Sequence, residues 1–298
     1  MNEVKNSVLV VTYNRLEWLK KNIDSIMNQT KPFHKIYIVN NNSTDETLDY
    51  LSEIKKEISN VITINLEKNL GGAGGFHMGL KKFIESSLEN EWISIMDDDC
   101  IIDKFYNERI ISNLNNKKNS YTPFRYDFET KELNKSFCKD LKKINENIYF
   151  KKVVPFNGFT INRERILEIG LPNKEYFIYQ DDYEYCYRII KAGGENLCIK
   201  DAIIYHPNKI EKIEKIRGIK IGKNQLNKLI VYYGTRNEIF NKIKYKEECI
   251  VTKKDIIKKN IKKIIKYILI NRFDLAILTL EAIKDGILKK EISKGIIK

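Results

Sequence analysis

Three consecutive aspartates close a short apolar stretch: Trp92-Ile93-Ser94-Ile95-Met96 runs directly into Asp97-Asp98-Asp99. Clustered carboxylates are hard oxygen donors of the kind that suits Mg²⁺ or Mn²⁺. A strand ending in them would place them outside the carboxyl ends of an α/β sheet, where such sheets take their ligands. Taken alone, the triplet also fits a polar loop with solvated acids. A second acidic pair, Asp181-Asp182, opens a helical pattern carried by Tyr185, Ile189 and Ile190. Carboxylates at a helix N-terminus complement the helix dipole, so simple capping competes with chemistry there. His206 ends a short apolar run, as the acidic triplet does. A lone histidine is more often structural than catalytic. The stretch Asn69-Leu70-Gly71-Gly72-Ala73-Gly74-Gly75-Phe76 permits close backbone approach and unusual φ values. It reads as a loop pressed against a sugar or diphosphate, or as a tight turn. It is a poor dinucleotide or P-loop fingerprint, because it is not the first strand-to-helix turn and no Gly-Lys-Ser/Thr follows.

The elements that must hold these residues alternate. Val8-Leu9-Val10-Val11-Thr12 is a buried-type strand, and Leu16, Leu19, Ile23, Ile26 and Met27 then recur at helical spacing. Asn14 with Glu17 offers a capping box for that helix. Lys35–Val39 predicts a second strand, which ends in the polar turn Asn40–Asp45 and opens another helix through Leu48, Leu51 and Ile54. Val61–Asn65 predicts a third strand, and a helix from about His77 to Ser87 returns the chain to Trp92. Strands alternating with helices predict a doubly wound, mostly parallel sheet. Residues 113–150 are rich in Lys, Asn and Tyr and only weakly periodic, which fits an insertion or a hairpin near the substrate. Order resumes at Pro155-Phe156-Asn157-Gly158-Phe159-Thr160. A helix over 163–168 stops at Gly170, and two short strands, 197–199 and 202–205, deliver His206.

The chain has 298 residues, is 42% apolar and carries a formal charge of +13. That is enough for one large α/β domain with an extension, and the basic excess suggests anionic partners. Five scattered cysteines form no Cys-x-x-Cys pair, which points to a reducing compartment without disulfides or structural zinc. The first residues carry no signal-peptide apolar core, and no run approaches the ~18–20 apolar residues of a membrane span. The cytoplasm is the expected location. The tail differs in kind. From Lys253 to Arg272, Ile256, Ile257, Ile261, Ile264, Ile265 and Ile268 read as one face, with lysines filling the other side. A basic amphipathic helix suits an anionic membrane surface. The competing reading is a core-packed helix with a solvated lysine face. The charge is not interleaved with aromatics in a nucleic-acid-binding pattern.

Together these pieces resemble the family 2 inverting glycosyltransferases and their GT-A nucleotide-sugar-binding fold, over roughly residues 7–240, with 241–298 as a basic helical extension. Val11-Thr12-Tyr13-Asn14-Arg15 looks like that family's first nucleotide-contacting turn. Val39-Asn40-Asn41-Asn42-Ser43-Thr44-Asp45 looks like its second, with Asn40 where the family commonly has Asp. Asp97-Asp98-Asp99 matches the metal-binding Asp-x-Asp, Asp181-Asp182 the acidic pair whose second member is the usual base, and His206 the histidine that can complete the metal site. The resemblance implies Mn²⁺ or Mg²⁺ on Asp97, Asp99 and His206, and Asp182 as base. It implies donor contacts from Thr12, Tyr13, Asn14, Asn40, Asn41, Asp45, Asn69, Gly71, Gly72, Gly74, Asp97 and Asp98, and acceptor contacts from Asn157, Gly158 and Asp181. The glycine stretch, the Gln180-Asp181-Asp182-Tyr183-Glu184 block and Tyr232-Tyr233-x-x-Arg236-Asn237 resemble the galactofuranosyltransferase branch. The implied donor is a UDP-linked sugar. The implied acceptor is a glycan or glycolipid, met by an enzyme peripheral to the inner face of the plasma membrane. Rhamnosyl or other hexosyl transfer, and a non-catalytic basic binding module, are the competing functions.

Overall fold

The computed structural model describes residues 4–207 and 212–288. Residues 1–3 and the last part of the expected extension, 289–298, lie outside them. β1 (Asn6–Thr12) is buried along its whole length, as the run Val8–Val11 requires of a strand covered on both faces. It leads to α1 (Leu16–Met27), β2 (Ile36–Asn40), α2 (Thr47–Glu57), β3 (Val61–Asn65), α3 (Gly71–Ser86) and β4 (Trp92–Asp97). These four strands pair in parallel in the order β3-β2-β1-β4. Alternate residues of β1 serve two cores. Leu9 and Val11 face α3 with Leu80 and Phe83, and Val8 and Val10 face α1 and α2 with Leu19, Ile23 and Leu51.

Beyond β4 the sheet turns mixed. It continues through β5 (Ile101–Ile102), α4 (Tyr106–Asn113), β6 (Ser120–Asp127), β7 (Lys142–Lys143), β8 (Ile148–Phe150), β9 (Phe159–Asn162), α5 (Arg163–Ile169), α6 (Asp181–Lys191) and β10 (Asn196–His206). β9 inserts antiparallel between β4 and β6, and β10 pairs parallel with β6. The segment 113–150 therefore supplies one central strand and the β7–β8 hairpin on the sheet's edge. The two short strands expected around 197–205 are one strand, whose register against β6 shifts between Ile199 and Ile203. Lys200 and Asp201 are exposed at that irregularity, which broke the apolar pattern.

Two local expectations are corrected. The glycine stretch is not a loop: α3 begins at Gly71, six residues before the expected start. A Cβ on Gly75 would lie 2.4 Å from Val11 Cγ1 and one on Gly79 2.4 Å from Leu9 Cδ1, so glycine lets this helix lie flat on β1. Close packing outweighs glycine's poor helix propensity. Nor does Asn14 cap α1. Arg15 holds the cap position without a side-chain bond, while Asn14, at φ 52°, accepts from Thr44 N at 2.6 Å.

A hairpin of β11 (Ile213–Ile216) and β12 (Ile219–Gly222) leads to α7 (Lys228–Lys244), α8 (Lys253–Leu269) and α9 (Phe273–Leu288). Val231, Tyr232, Tyr267, Leu275 and Ala282 close a third core between them. The helical unit thus starts with α7, and position 240 falls inside that helix. The expected single isoleucine face of α8 is split. Ile256 is buried with Asn260 and Tyr267, whereas Ile257, Ile261, Ile265 and Ile268 are exposed.

Candidate active site

β4 carries Asp97 to the sheet rim, and the turn after it folds Asp98 and Asp99 back against the start of α1. Arg15 reaches across with both guanidinium branches. Nη1 lies 2.8 Å from Asp98 Oδ1, and Nη2 lies 2.7 Å from Asp99 Oδ2. Thr12 Oγ1 donates to Asp98 Oδ2 at 2.8 Å. Asp98 is thus a buried brace between β1, α1 and β4. Burial pushes its carboxyl up to about 6 against the opposing pull of Arg15 and Thr12. Asp99 Oδ1 faces His206 Nε2 at 3.2 Å, and Arg125 Nη2 stands 3.0 Å from His206 Nδ1. Burial alone would raise the Asp99 carboxyl, but His206 and Arg15 outweigh it and hold that carboxyl well below the usual range.

Asp97 is held differently. Its Oδ2 takes a long 3.5 Å bond from Asn157 Nδ2, whose amide also lies 3.2 Å from Cys100 Sγ. Burial raises its carboxyl, and the charges of Asp99, Asp98 and Asp181 add to the effect. Asp182, in the first turn of α6, is raised by burial and by the charge of Asp97. Asp181 is raised by burial and by Asp182. The two acidic clusters, far apart along the chain, therefore share one electrostatic neighbourhood.

Asp99, Cys100 and His206 offer ligand atoms within 4.8 Å of one another. Burial, with the charges of Asp99 and Asp97, pushes the Cys100 thiol well above its ordinary value, which disfavours the thiolate that binds metals. What remains for a cation is carboxylate and imidazole, a donor set suited to Mn²⁺ or Mg²⁺. Asp97, expected as a ligand, stands outside this trio.

The residues expected at the donor divide into buried and open ones. Thr12, Asn40 and Asn41 are buried. Asn40 Oδ1 accepts from Ser43 N at 2.9 Å. Asn41 accepts from Leu70 N at 2.8 Å and donates to Gly71 O at 3.0 Å, tying the asparagine turn to the start of α3. Asn69 Oδ1 accepts from Gly71 N at 2.7 Å. Asp45 accepts from Leu16 N at 3.3 Å and Thr47 N at 3.2 Å, serving the starts of α1 and α2. Tyr13, 42% exposed, and Asn14 and Asn42 line the open side of these turns. Of the glycines, Gly71 is constrained by φ +71° and by Phe177 O, which a Cβ would meet at 2.0 Å. Gly74 abuts Leu70, and Gly72 has open space around it. Gly158, at φ +77°, hands its carbonyl to Tyr106 Oη at 2.9 Å. Arg15, Cys100 and Arg125 were not singled out as site residues from the sequence. Only Arg15 carried a signal there, as the basic residue closing Tyr13-Asn14-Arg15.

Relatives share parts of this chain. Galactofuranosyltransferase GlfT1 of Mycolicibacterium smegmatis is 24% identical over 227 residues, 70% of this chain and 73% of that protein. An uncharacterized glycosyltransferase of Haemophilus influenzae is 33% identical over 108 residues, 36% of this chain and 32% of its own length. A solved structure of S. aureus TarS 1–349 with UDP-GlcNAc superposes with TM-score 0.58 at 15% identity, covering 95% of this chain and 81% of that one. GalNAc-T7 with UDP, GalNAc and Mn²⁺ gives 0.57 at 14%, covering 90% and 57%. These structural neighbours share the GT-A fold. The family model described as "Glycosyl transferase family 2" matches residues 7–170. The match runs from β1 through α5, more than half of the chain, which therefore belongs to glycosyl transferase family 2.

Proposed function

We propose that this protein is an inverting glycosyltransferase that moves a sugar, galactofuranose from UDP-galactofuranose, onto a hydroxyl of a lipid-linked glycan. The observation that supports this reading is the rim of β4, where Asp99 faces His206 at 3.2 Å, with Asp182 in the first turn of α6 sensing the charge of Asp97. The acceptor oxygen attacks the anomeric carbon as the bond to the diphosphate oxygen breaks, and the acceptor proton passes to Asp182. A raised carboxyl pKa matches the base to near-neutral proton transfer. Asp99 and His206 would hold a divalent cation, which neutralises charge on the leaving diphosphate. Tyr13 offers an open ring to the nucleobase, and Asp181 orients the acceptor. Similarity to GlfT1 over most of both chains favours galactofuranose. A poly(ribitol-phosphate) beta-glucosyltransferase of Bacillus spizizenii, 33% identical over 101 residues that make up 15% of its length, keeps other hexoses in the test.

A lipid-linked acceptor at the inner face of the plasma membrane fits the outer side of α8 and α9. Ile257, Ile261, Ile265, Phe273, Ile277 and Leu280 are exposed there, Ile257 at 59%. A groove of about 480 Å³ between α7, α8 and α9 is lined by Ile243, Ile256, Ile261 and Ile283, with Lys242 and Lys253 beside them. An apolar face flanked by exposed Lys254, Lys258 and Lys262 complements an anionic lipid surface. Among the described residues no helix is long and apolar enough to cross a membrane.

The deciding experiment is a nucleotide-sugar panel with Mn²⁺, including UDP-galactofuranose, UDP-glucose, UDP-N-acetylglucosamine and a nucleotide-linked rhamnose, read by nucleotide release. Release from UDP-galactofuranose above all others is expected. Preference for another sugar would move the specificity, and no release from any donor would end the catalytic reading.

A further inference from the structure

The segment leading into α6 has an unusual backbone. Phe177, Tyr179 and Gln180 take φ values of 57°, 67° and 69°, three left-handed non-glycine residues within four positions. Side chains at such positions are strained, and the strain persists only where surrounding groups over-determine it. Asp181 and Asp182 follow at once, so this turn sets where both carboxylates point.

One face of α7 supplies what holds it. Asn237 is fully buried, and its Nδ2 lies 3.0 Å from Tyr176 O, 3.1 Å from Ile178 O and 2.8 Å from Tyr179 O. Asn241 Nδ2 donates to Gln180 O at 3.1 Å, and Tyr176 Oη donates to Asn241 Oδ1 at 2.5 Å. Arg236 Nη1 donates to Glu175 O at 2.9 Å and to Asn237 Oδ1 at 2.8 Å, which fixes the amide with its NH₂ toward the turn. Phe177 stacks on Tyr233 at 5.0 Å between ring centroids, and Tyr176 meets Phe240 edge-on at 5.9 Å. The far side of the turn is tied to the donor half: Ala73 N donates to Phe177 O at 3.1 Å, and Asn41 grips Gly71 next to it. The carbonyls of Tyr176, Ile178, Tyr179 and Gln180 thus face the Asn237 and Asn241 amides of one helix, and that of Phe177 between them faces α3.

We propose that Arg236, Asn237 and Asn241 are positioning residues for the transfer step: the Asn237 and Asn241 amides collect the carbonyls of the strained turn, the Arg236 guanidinium fixes the Asn237 amide, and together they aim Asp181 and Asp182 at the acceptor. This deepens the function proposed above and rests on it. The sequence stretch Tyr232-Tyr233-x-x-Arg236-Asn237 gains a role that its position, remote from the acidic clusters in the chain, did not disclose. α7 is then part of the active site as well as the root of the C-terminal helices.

The test compares Asn237→Ala, Asn237→Asp and Asn241→Ala in the full chain. For Asn237→Ala we expect kcat to fall about 10- to 100-fold, as for a misaimed catalytic group, with the KM for nucleotide sugar changed less than about threefold. Asn237→Asp keeps the size but turns oxygens toward oxygens, so it should be worse than Ala. A mere packing role predicts the reverse order. Amide-hydrogen exchange in peptides spanning 176–182 should quicken at least about tenfold in the Ala variants while β1 and β4 stay protected. Unchanged exchange with kcat within about threefold of wild type would overturn the proposal. Should Asn237→Asp fail to fold, Asn241→Ala carries the same two readouts. Should the wild type transfer no sugar, the functional reading fails by itself, and exchange still decides whether the clamp sets the turn.

Discussion

Asp97, Asp98 and Asp99 are three identical side chains in three different states. Asp98 is braced by Thr12 and Arg15, Asp99 is charged between Arg15 and His206, and Asp97 is half-buried among like charges. Only the surroundings distinguish them. Their presence at a strand end was legible in the sequence, as was the pair at Asp181 and Asp182. The division of labour was not, because Arg15 and His206 reach the triplet from other parts of the chain, and Arg125 stands behind His206. Asp182 carries the sharpest consequence. Burial and Asp97 both raise its carboxyl, so if Asp182 is the base proposed above, its carboxylate is lost as pH falls through that raised value, and transfer should fail at a higher pH than for an ordinary aspartate. Asp182→Asn should lower kcat by at least about 10²-fold, the low end of a general base's contribution, while calorimetry shows UDP binding within about threefold of wild type. Near-normal turnover in that variant would assign the base elsewhere.

At the scale of elements, the first three strands follow from their short apolar runs, with β1 and β2 buried at every position, and α1 and α2 follow from apolar residues at helical spacing. The glycine stretch misled for a physical reason. Four glycines suggest a loop because each weakens a helix, yet α3 needs Gly71 for clearance from the Phe177 carbonyl and Gly75, with Gly79 beyond the stretch, for clearance from β1. No single-chain pattern distinguishes a glycine kept for backbone freedom from one kept for clearance. Substitution does. Gly72 is helical with nothing within 4 Å of a new Cβ, so Gly72→Ala should stabilise the protein by about 0.5–1 kcal/mol. Gly75→Ala drives a methyl to 2.4 Å from Val11 Cγ1 and should destabilise by about 1–3 kcal/mol. Urea unfolding of the two variants side by side measures both signs. Equal effects would mean that α3 does not rest on β1 as described.

The whole molecule joins a family sheet to a helical unit whose α7 also holds the turn that precedes Asp181. The amphipathic character of α8 was legible, but its faces were misdrawn. The sequence shows Ile and Lys interspersed, whereas only packing shows that Asn260 is buried, that Lys263 turns toward α7 and that the Ile257–Ile261–Ile265 stripe is exposed. Lys263 donates to Thr235 Oγ1 at 2.8 Å, and burial lowers it to about 8, with Lys259 adding to the effect. Its charged form is disfavoured in the fold. Between about pH 8 and 10.5 the unfolded chain holds a proton that the native one has released, so this residue's contribution becomes more favourable as pH rises through that window. Lys263→Met should raise the melting temperature at pH 7 by roughly 2–4 °C, as about 1 kcal/mol does for a chain of this size class, and its advantage should shrink toward pH 10.5. The outward stripe has its own test. Phe273→Glu and Ile277→Glu place acids on the exposed face of α9, opposite the buried Leu275, Thr279 and Ala282, so the fold should survive. If that face docks on lipid, wild type sediments with vesicles containing phosphatidylglycerol and the double variant stays in the supernatant, with melting temperature and nucleotide binding unchanged. Equal sedimentation of the two would leave the lysines alone as the attraction, and high salt would then abolish binding of both.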